Sequence, residues 1–154
     1  FDGTPYCGQV NRVAPIVRAD CVCVIDGRHM PLAEGKPLAQ TIGEWRMQSP
    51  QAMRVGIFGE DGFYPVVTRK LVDRLGYMFH PLCYGRIEAE NWLLAVGEQL
   101  GVLSQIPDAG IFESPADTVE ICGVSDEDDI KWVDETLTQT LFDVTERLDG
   151  YLVK

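Results

Sequence analysis

The residues that could do chemistry in this chain are few, and most of them are carboxylates. Asp26 follows the apolar run Cys21-Val22-Cys23-Val24-Ile25, and the carboxyl end of a buried strand is where α/β sheets hold ligands. A hard oxygen ligand there could bind a magnesium or manganese ion that bridges a diphosphate. Asp26-Gly27 is also an ordinary turn pair. Glu88-Ala89-Glu90-Asn91-Trp92 opens an apolar-periodic stretch. Carboxylates in a first helical turn offset the helix dipole, whereas one facing a cleft can take a proton from an acceptor hydroxyl. Ahead of them, Tyr77-Met78-Phe79-His80-Pro81, with Tyr84 close behind, suits stacking on a sugar or base face, or packing in a core.

Other clusters carry less. The acidic run from Asp126 to Asp129 lacks the alternating ligands and central glycine of a calcium loop and reads as a solvated helix start. His29 is a lone loop histidine. The chain has no phosphate-binding loop, HExxH, CxxC or GxSxG. The five cysteines, at 7, 21, 23, 83 and 122, match no zinc or redox spacing. Cys21 and Cys23 would share a strand face, which is poor geometry for a disulfide. A reduced, cytoplasmic chain is expected.

These residues need a scaffold, and the periodicity predicts an α/β fold. Cys21–Ile25 and Arg54–Phe58 read as buried strands, the second closed by Gly59, Asp61 and Gly62. Pro31, Gly35, Pro37, Gly43 and Pro50 predict a long loop from Gly27 to Pro50. A helix is expected over Val67–Leu75, stopped by Gly76, and another over Glu88–Leu100, stopped by Gly101. Val102–Ile106 reads as a strand ended by Pro107. Ile130, Val133, Leu137, Leu141, Val144 and Leu148 form the stripe of a long C-terminal helix beginning near Ser125. Two regions follow: an α/β domain over 1–124, and a helix over 125–154 that packs on it or on a partner.

At 154 residues and 45% hydrophobic, the chain can bury a core. Its 24 acidic and 13 basic residues leave a formal charge of -11, which repels phosphate backbones and anionic membranes and argues against free nucleic acid as the main partner. No run approaches the roughly 18 apolar residues of a membrane span.

Taken in order, these pieces resemble the second half of a family 2 glycosyltransferase of the GT-A type. Asn11-Arg12-Val13-Ala14, Ala19-Asp20, the strand Cys21–Ile25, Asp26-Gly27 and Pro31 follow the order of that family's metal-motif region. Pro65-Val66-Val67-Thr68-Arg69, Leu75-Gly76-Tyr77, Phe79-His80-Pro81, Glu90-Asn91-Trp92-Leu93 and Leu103–Pro107 follow the order of its acceptor side. The likeness spans about residues 8–115. It implies a partial GT-A (Rossmann-like) mixed sheet with flanking helices. It further implies sugar transfer from a nucleotide-diphosphate donor to a hydroxyl acceptor, with inversion. Asp26 would be the metal carboxylate, Glu90 the catalytic base, and Trp92 would pack or line the acceptor pocket beside His80. Arg69, or else Arg28, would hold phosphate, and the cofactor would be Mn2+ or Mg2+.

Three departures from the family pattern motivate a second reading, a non-catalytic binding or assembly module. Gly27 stands where a second aspartate is common, Asn91 takes one place of the acidic pair, and no late histidine follows Pro107-Asp108. Glu113 is the substitute oxygen ligand expected there. A third reading is an unrelated acidic α/β interaction protein. Because Phe1 lies just ahead of the metal-motif strand, the strands that would grip the donor's base and ribose are expected upstream or on another chain.

Overall fold

The structure is a computed structural model that describes residues 6–25, 30–31, 36–58, 65–83, 85–106, 112–113, 139–140 and 142–148. The element order is α1 (Tyr6–Val13), β1 (Cys21–Cys23), β2 (Met30–Pro31), α2 (Leu38–Met47), β3 (Val55–Phe58), β4 (Val66–Thr68), α3 (Arg69–Leu75), α4 (Arg86–Gln99), β5 (Leu103–Ile106) and β6 (Phe112–Glu113). A C-terminal helical segment covers 142–148. The expected α/β class is therefore observed.

Four strands form one mixed sheet in the order β1-β4-β3-β5, and β2 and β6 form a separate ribbon. β4 runs antiparallel to both β1 and β3, while β3 and β5 are parallel. Strands β1, β3 and β5 thus all point the same way. Their carboxyl ends, at Cys23, Phe58 and Ile106, lie on one edge of the sheet.

Two apolar layers flank it. On one face Val22, Val55 and Val67 pack with Leu71, Val72 and Leu75 of α3 and with Ala89, Trp92, Leu93 and Val96 of α4. Val144 and Leu148 of the C-terminal segment are buried in the same cluster. On the other face Trp45 of α2 packs with Phe58, Val66 and Ile106. Gly56 lets α2 approach, because a Cβ there would stand 2.8 Å from the Trp45 ring and 2.8 Å from Ile106. Arg54 then lies over the Trp45 ring at 4.4 Å, donating to Trp45 O at 2.9 Å and to Ser104 Oγ at 3.0 Å.

The loop expected from Gly27 to Pro50 contains α2, which starts after Pro37 and carries only Thr41 and Trp45 as buried residues. Proline suits the position before a helix because it needs no amide partner there. The helix expected to begin at Val67 begins at Arg69, since Val66-Val67-Thr68 is a buried β-branched strand. The rest of the expected C-terminal helix before 139, and the acidic cluster at 126–129, lie outside the described residues. No helix among the described residues is long and apolar enough to cross a membrane.

Long-range polar ties hold α1 to the connection between α3 and α4. Asn11 Oδ1 accepts the amides of Met78 and Phe79, each at 3.0 Å, and its Nδ2 donates to Phe79 O at 2.7 Å. Three bonds from one side chain fix the turn that leads into α4. Asn11→Ala leaves two backbone amides and a carbonyl in a buried turn without these partners, and is expected to cost about 2–4 kcal/mol. Urea unfolding checks this, and a loss below about 0.5 kcal/mol would show that water replaces the side chain at no cost.

Candidate functional site

The amino-terminal turns of α4 lie at the carboxyl edge of the sheet. At the helix's other end, a Cβ on Gly97 would stand 3.3 Å from both Val55 and Leu103, at the amino ends of β3 and β5. Glu90 is seven residues earlier, roughly 10 Å back along the helix axis. That places it near the end of β1, and the electrostatics agree. Burial first, and then the charge of Glu90, push the Cys23 thiol up to about 12.

The two carboxylates of the α4 start have different work. Glu88 accepts the Gly85 amide at 3.0 Å, the acidic half of a capping box. Glu90 lies a turn inside the helix, is 4% exposed, and has Arg86 Nε 3.6 Å from its Oε1. A buried carboxylate held at ion-pair distance, not capping its helix, is chemically the more unusual of the two. The i,i+4 spacing of Arg86 and Glu90 was visible in the sequence, although its significance depends on Glu90 being buried.

Asp26 begins three residues past Cys23 but lies outside the described residues, as do Gly27, Arg28 and His29. Glu113 is placed by its backbone: in the β2–β6 ribbon it pairs with Met30. The strand register thus brings Glu113 opposite a residue only four beyond Asp26. Oxygen donors of this kind suit a hard divalent cation. Among the described residues there is no group of three or more His, Cys, Asp or Glu side chains able to hold one.

His80 and Trp92 are buried in the core, whereas Arg69 lies at the opposite edge of the sheet, where β1 begins, since Thr68 pairs with Cys21. The Arg69 guanidinium donates to Ala14 O at 2.7 Å, to Ala19 O at 3.2 Å and to Val17 O, and the Arg69 amide donates to Asp20 O at 2.8 Å. These bonds clamp the α1–β1 link, and Asp73 lies 3.6 Å from the same guanidinium. Trp92 is fully buried and its indole N–H donates to Thr140 Oγ1 at 2.9 Å, tying α4 to the C-terminal region.

His80 packs against the rings of Tyr77 and Trp92, with centroids 5.5 and 5.4 Å away, and those two rings also meet at 6.2 Å. Its Nδ1 accepts the Leu82 amide at 3.2 Å, so the neutral ring carries its proton on Nε2. The cysteines described, Cys7, Cys21, Cys23 and Cys83, are all free thiols. Cys7 and Cys83 are in hydrogen-bond contact, which together with burial holds the Cys83 thiol above its usual range.

Burial lowers the His80 pKa from its ordinary 6.5, with Asp143 opposing and Arg147 adding to the shift. The unfolded chain therefore takes up this proton more readily than the folded one. The stability due to neutral His80 is complete above pH 6.5 and declines as pH falls from there toward the depressed folded value. Urea unfolding of wild type and His80→Gln across that window should show the wild type losing stability more steeply on acidification. Parallel curves would mean that His80 titrates alike in both states.

No family model matches the chain, and neither a curated protein nor a solved structure is significantly similar to it.

Proposed function

We propose that this chain is the acceptor-side half of a GT-A glycosyltransferase domain, which transfers a sugar from a nucleotide-diphosphate donor to a hydroxyl acceptor. The observation that carries the reading is Glu90: a carboxylate 4% exposed, on α4, beside the strand end that leads into Asp26. Group transfer to a hydroxyl needs a base poised at that edge.

In this reading Glu90 takes the proton of the acceptor hydroxyl while the acceptor oxygen attacks the anomeric carbon. The bond from that carbon to the diphosphate oxygen breaks with inversion, and the nucleotide diphosphate departs with the bonding pair. Asp26 and Glu113 would hold the Mn2+ or Mg2+ ion, which when bound stabilises the negative charge of the leaving diphosphate. Arg86 keeps Glu90 oriented. Arg69, with its donors on three carbonyls, contributes by fixing the α1–β1 link rather than by reaching phosphate. His80 and Trp92 pack with Tyr77 in the core beside α4. β1 is hydrogen-bonded on one side only among the described residues, and its other edge is where a donor-binding segment or second chain would join.

The rival reading, a non-catalytic binding or assembly module, draws on Gly27 and on the core roles of His80 and Trp92. One experiment separates the two. Calorimetric titration of the full-length protein with uridine, guanosine and thymidine diphosphates, with and without manganese, should give saturable, manganese-dependent binding. Asp26→Ala should abolish it. Glu90→Gln should keep donor binding while transfer falls about 100-fold or more, the usual contribution of a general base. Absence of manganese-dependent binding by a folded protein would leave the module reading.

A further inference from the structure

Helix α1 meets the connection between α3 and α4 with one face. Cys7 and Asn11 are one helical turn apart on it. Asn11 holds the amides of Met78 and Phe79, and Cys7 Sγ donates to Gly85 O at 3.7 Å, two residues beyond Cys83. The same face brings two sulfurs together. Cys7 and Cys83 are in hydrogen-bond contact, both are free thiols, and each is no more than 2% exposed in the cluster that also holds Phe79, Ala89 and Leu93.

The contact has a direction. The neighbouring sulfur and burial hold the Cys83 thiol well above its usual range, so Cys83 keeps its proton and is not the first nucleophile. Access comes through α1. Cys7 is the only residue that this helix buries, so its first turn has little apolar contact to lose and opens more readily than the core behind it.

We infer that Cys7 and Cys83 form an oxidation site, a dithiol that a hydroperoxide converts to a disulfide joining α1 to the connection before α4. The Cys7 sulfur, as thiolate, attacks the outer oxygen of the hydroperoxide and the O–O bond breaks. The departing oxygen takes up the proton that Cys7 released and leaves as an alcohol, or as water when the oxidant is hydrogen peroxide. The Cys83 sulfur then attacks the sulfenic sulfur of Cys7, the S–O bond breaks, and hydroxide leaves as water with the Cys83 proton. Two electrons pass from the pair of sulfurs to the peroxide. The link closes a loop that runs through β1 to α3, and it restricts the unfolded chain more than the folded one. The site is independent of the transferase reading.

Hydrogen peroxide is the probe, applied to the folded full-length protein, with free thiols counted afterwards in denaturant. Of the five cysteines, two are expected to be lost, with a mass lower by two hydrogens and one linked peptide pair, Cys7 with Cys83, inside a single chain. A variant carrying Cys21→Ser, Cys23→Ser and Cys122→Ser keeps only this pair. It should lose both thiols and gain roughly 5 °C or more in thermal midpoint, reversed by dithiothreitol. Cys83→Ala should stop at a sulfenic acid on Cys7, captured by dimedone. The inference is overturned if the folded protein keeps all its thiols at millimolar peroxide, if the linkage joins any other pair, or if it forms only in denaturant.

Discussion

Strand β3 hydrogen-bonds on both sides, antiparallel to β4 and parallel to β5, and this double pairing sets the direction of everything around it. Four residues, Val55 to Phe58, must therefore be accommodated by both faces at once. Val55 is fully buried in the layer with α3 and α4, and Phe58 in the layer with α2. Because β1 is aligned through β4, the carboxyl ends of β1, β3 and β5 fall on one edge. The amino-terminal turns of α4 meet that edge because its carboxyl-terminal turns meet the other at Gly97. The location of Glu90 is thus a consequence of strand direction.

The two edges of the sheet consequently differ in character. One has Glu90 near the end of β1, the strand that leads toward Asp26. The other gathers Arg54, Lys70 and Arg74 around an open apolar floor. Uncharged acceptors, Trp45 O and Ser104 Oγ for one and Gln51 O for the other, fix where Arg54 and Lys70 point.

The sequence made some of this legible. Strands β1, β3 and β5 were readable from short β-branched apolar runs, and α4 from Ala89, Trp92, Leu93 and Val96, all buried. Helices α1 and α2 were not. Each buries very little of itself, Cys7 in one and Thr41 and Trp45 in the other, too few apolar positions to establish a period. Pro37 and Gly43 then read as loop punctuation, although one precedes the helix and the other is tolerated on it. The residue pattern left Glu88 and Glu90 together at the helix start, and only the family resemblance singled out Glu90; which carboxylate reaches the Gly85 amide is visible only in the structure. Nor could it show that Arg69 spends its donors on backbone carbonyls. Those acceptors lie 50 or more residues away, and no local spacing encodes them.

The missing side chain at Gly56 couples two parts of the chain genetically. A methyl group there would press on Trp45 and Ile106, each 2.8 Å away, and Trp45 is also the surface on which Arg54 lies. Tolerated changes at these positions should consequently travel together. A larger residue at 56 would call for a smaller one at 45 or 106, and a smaller one at 45 would unseat the guanidinium. Helix α2, the element least visible in the sequence, is in this way held to the sheet by mutually dependent residues, Trp45, Arg54, Gly56 and Ile106.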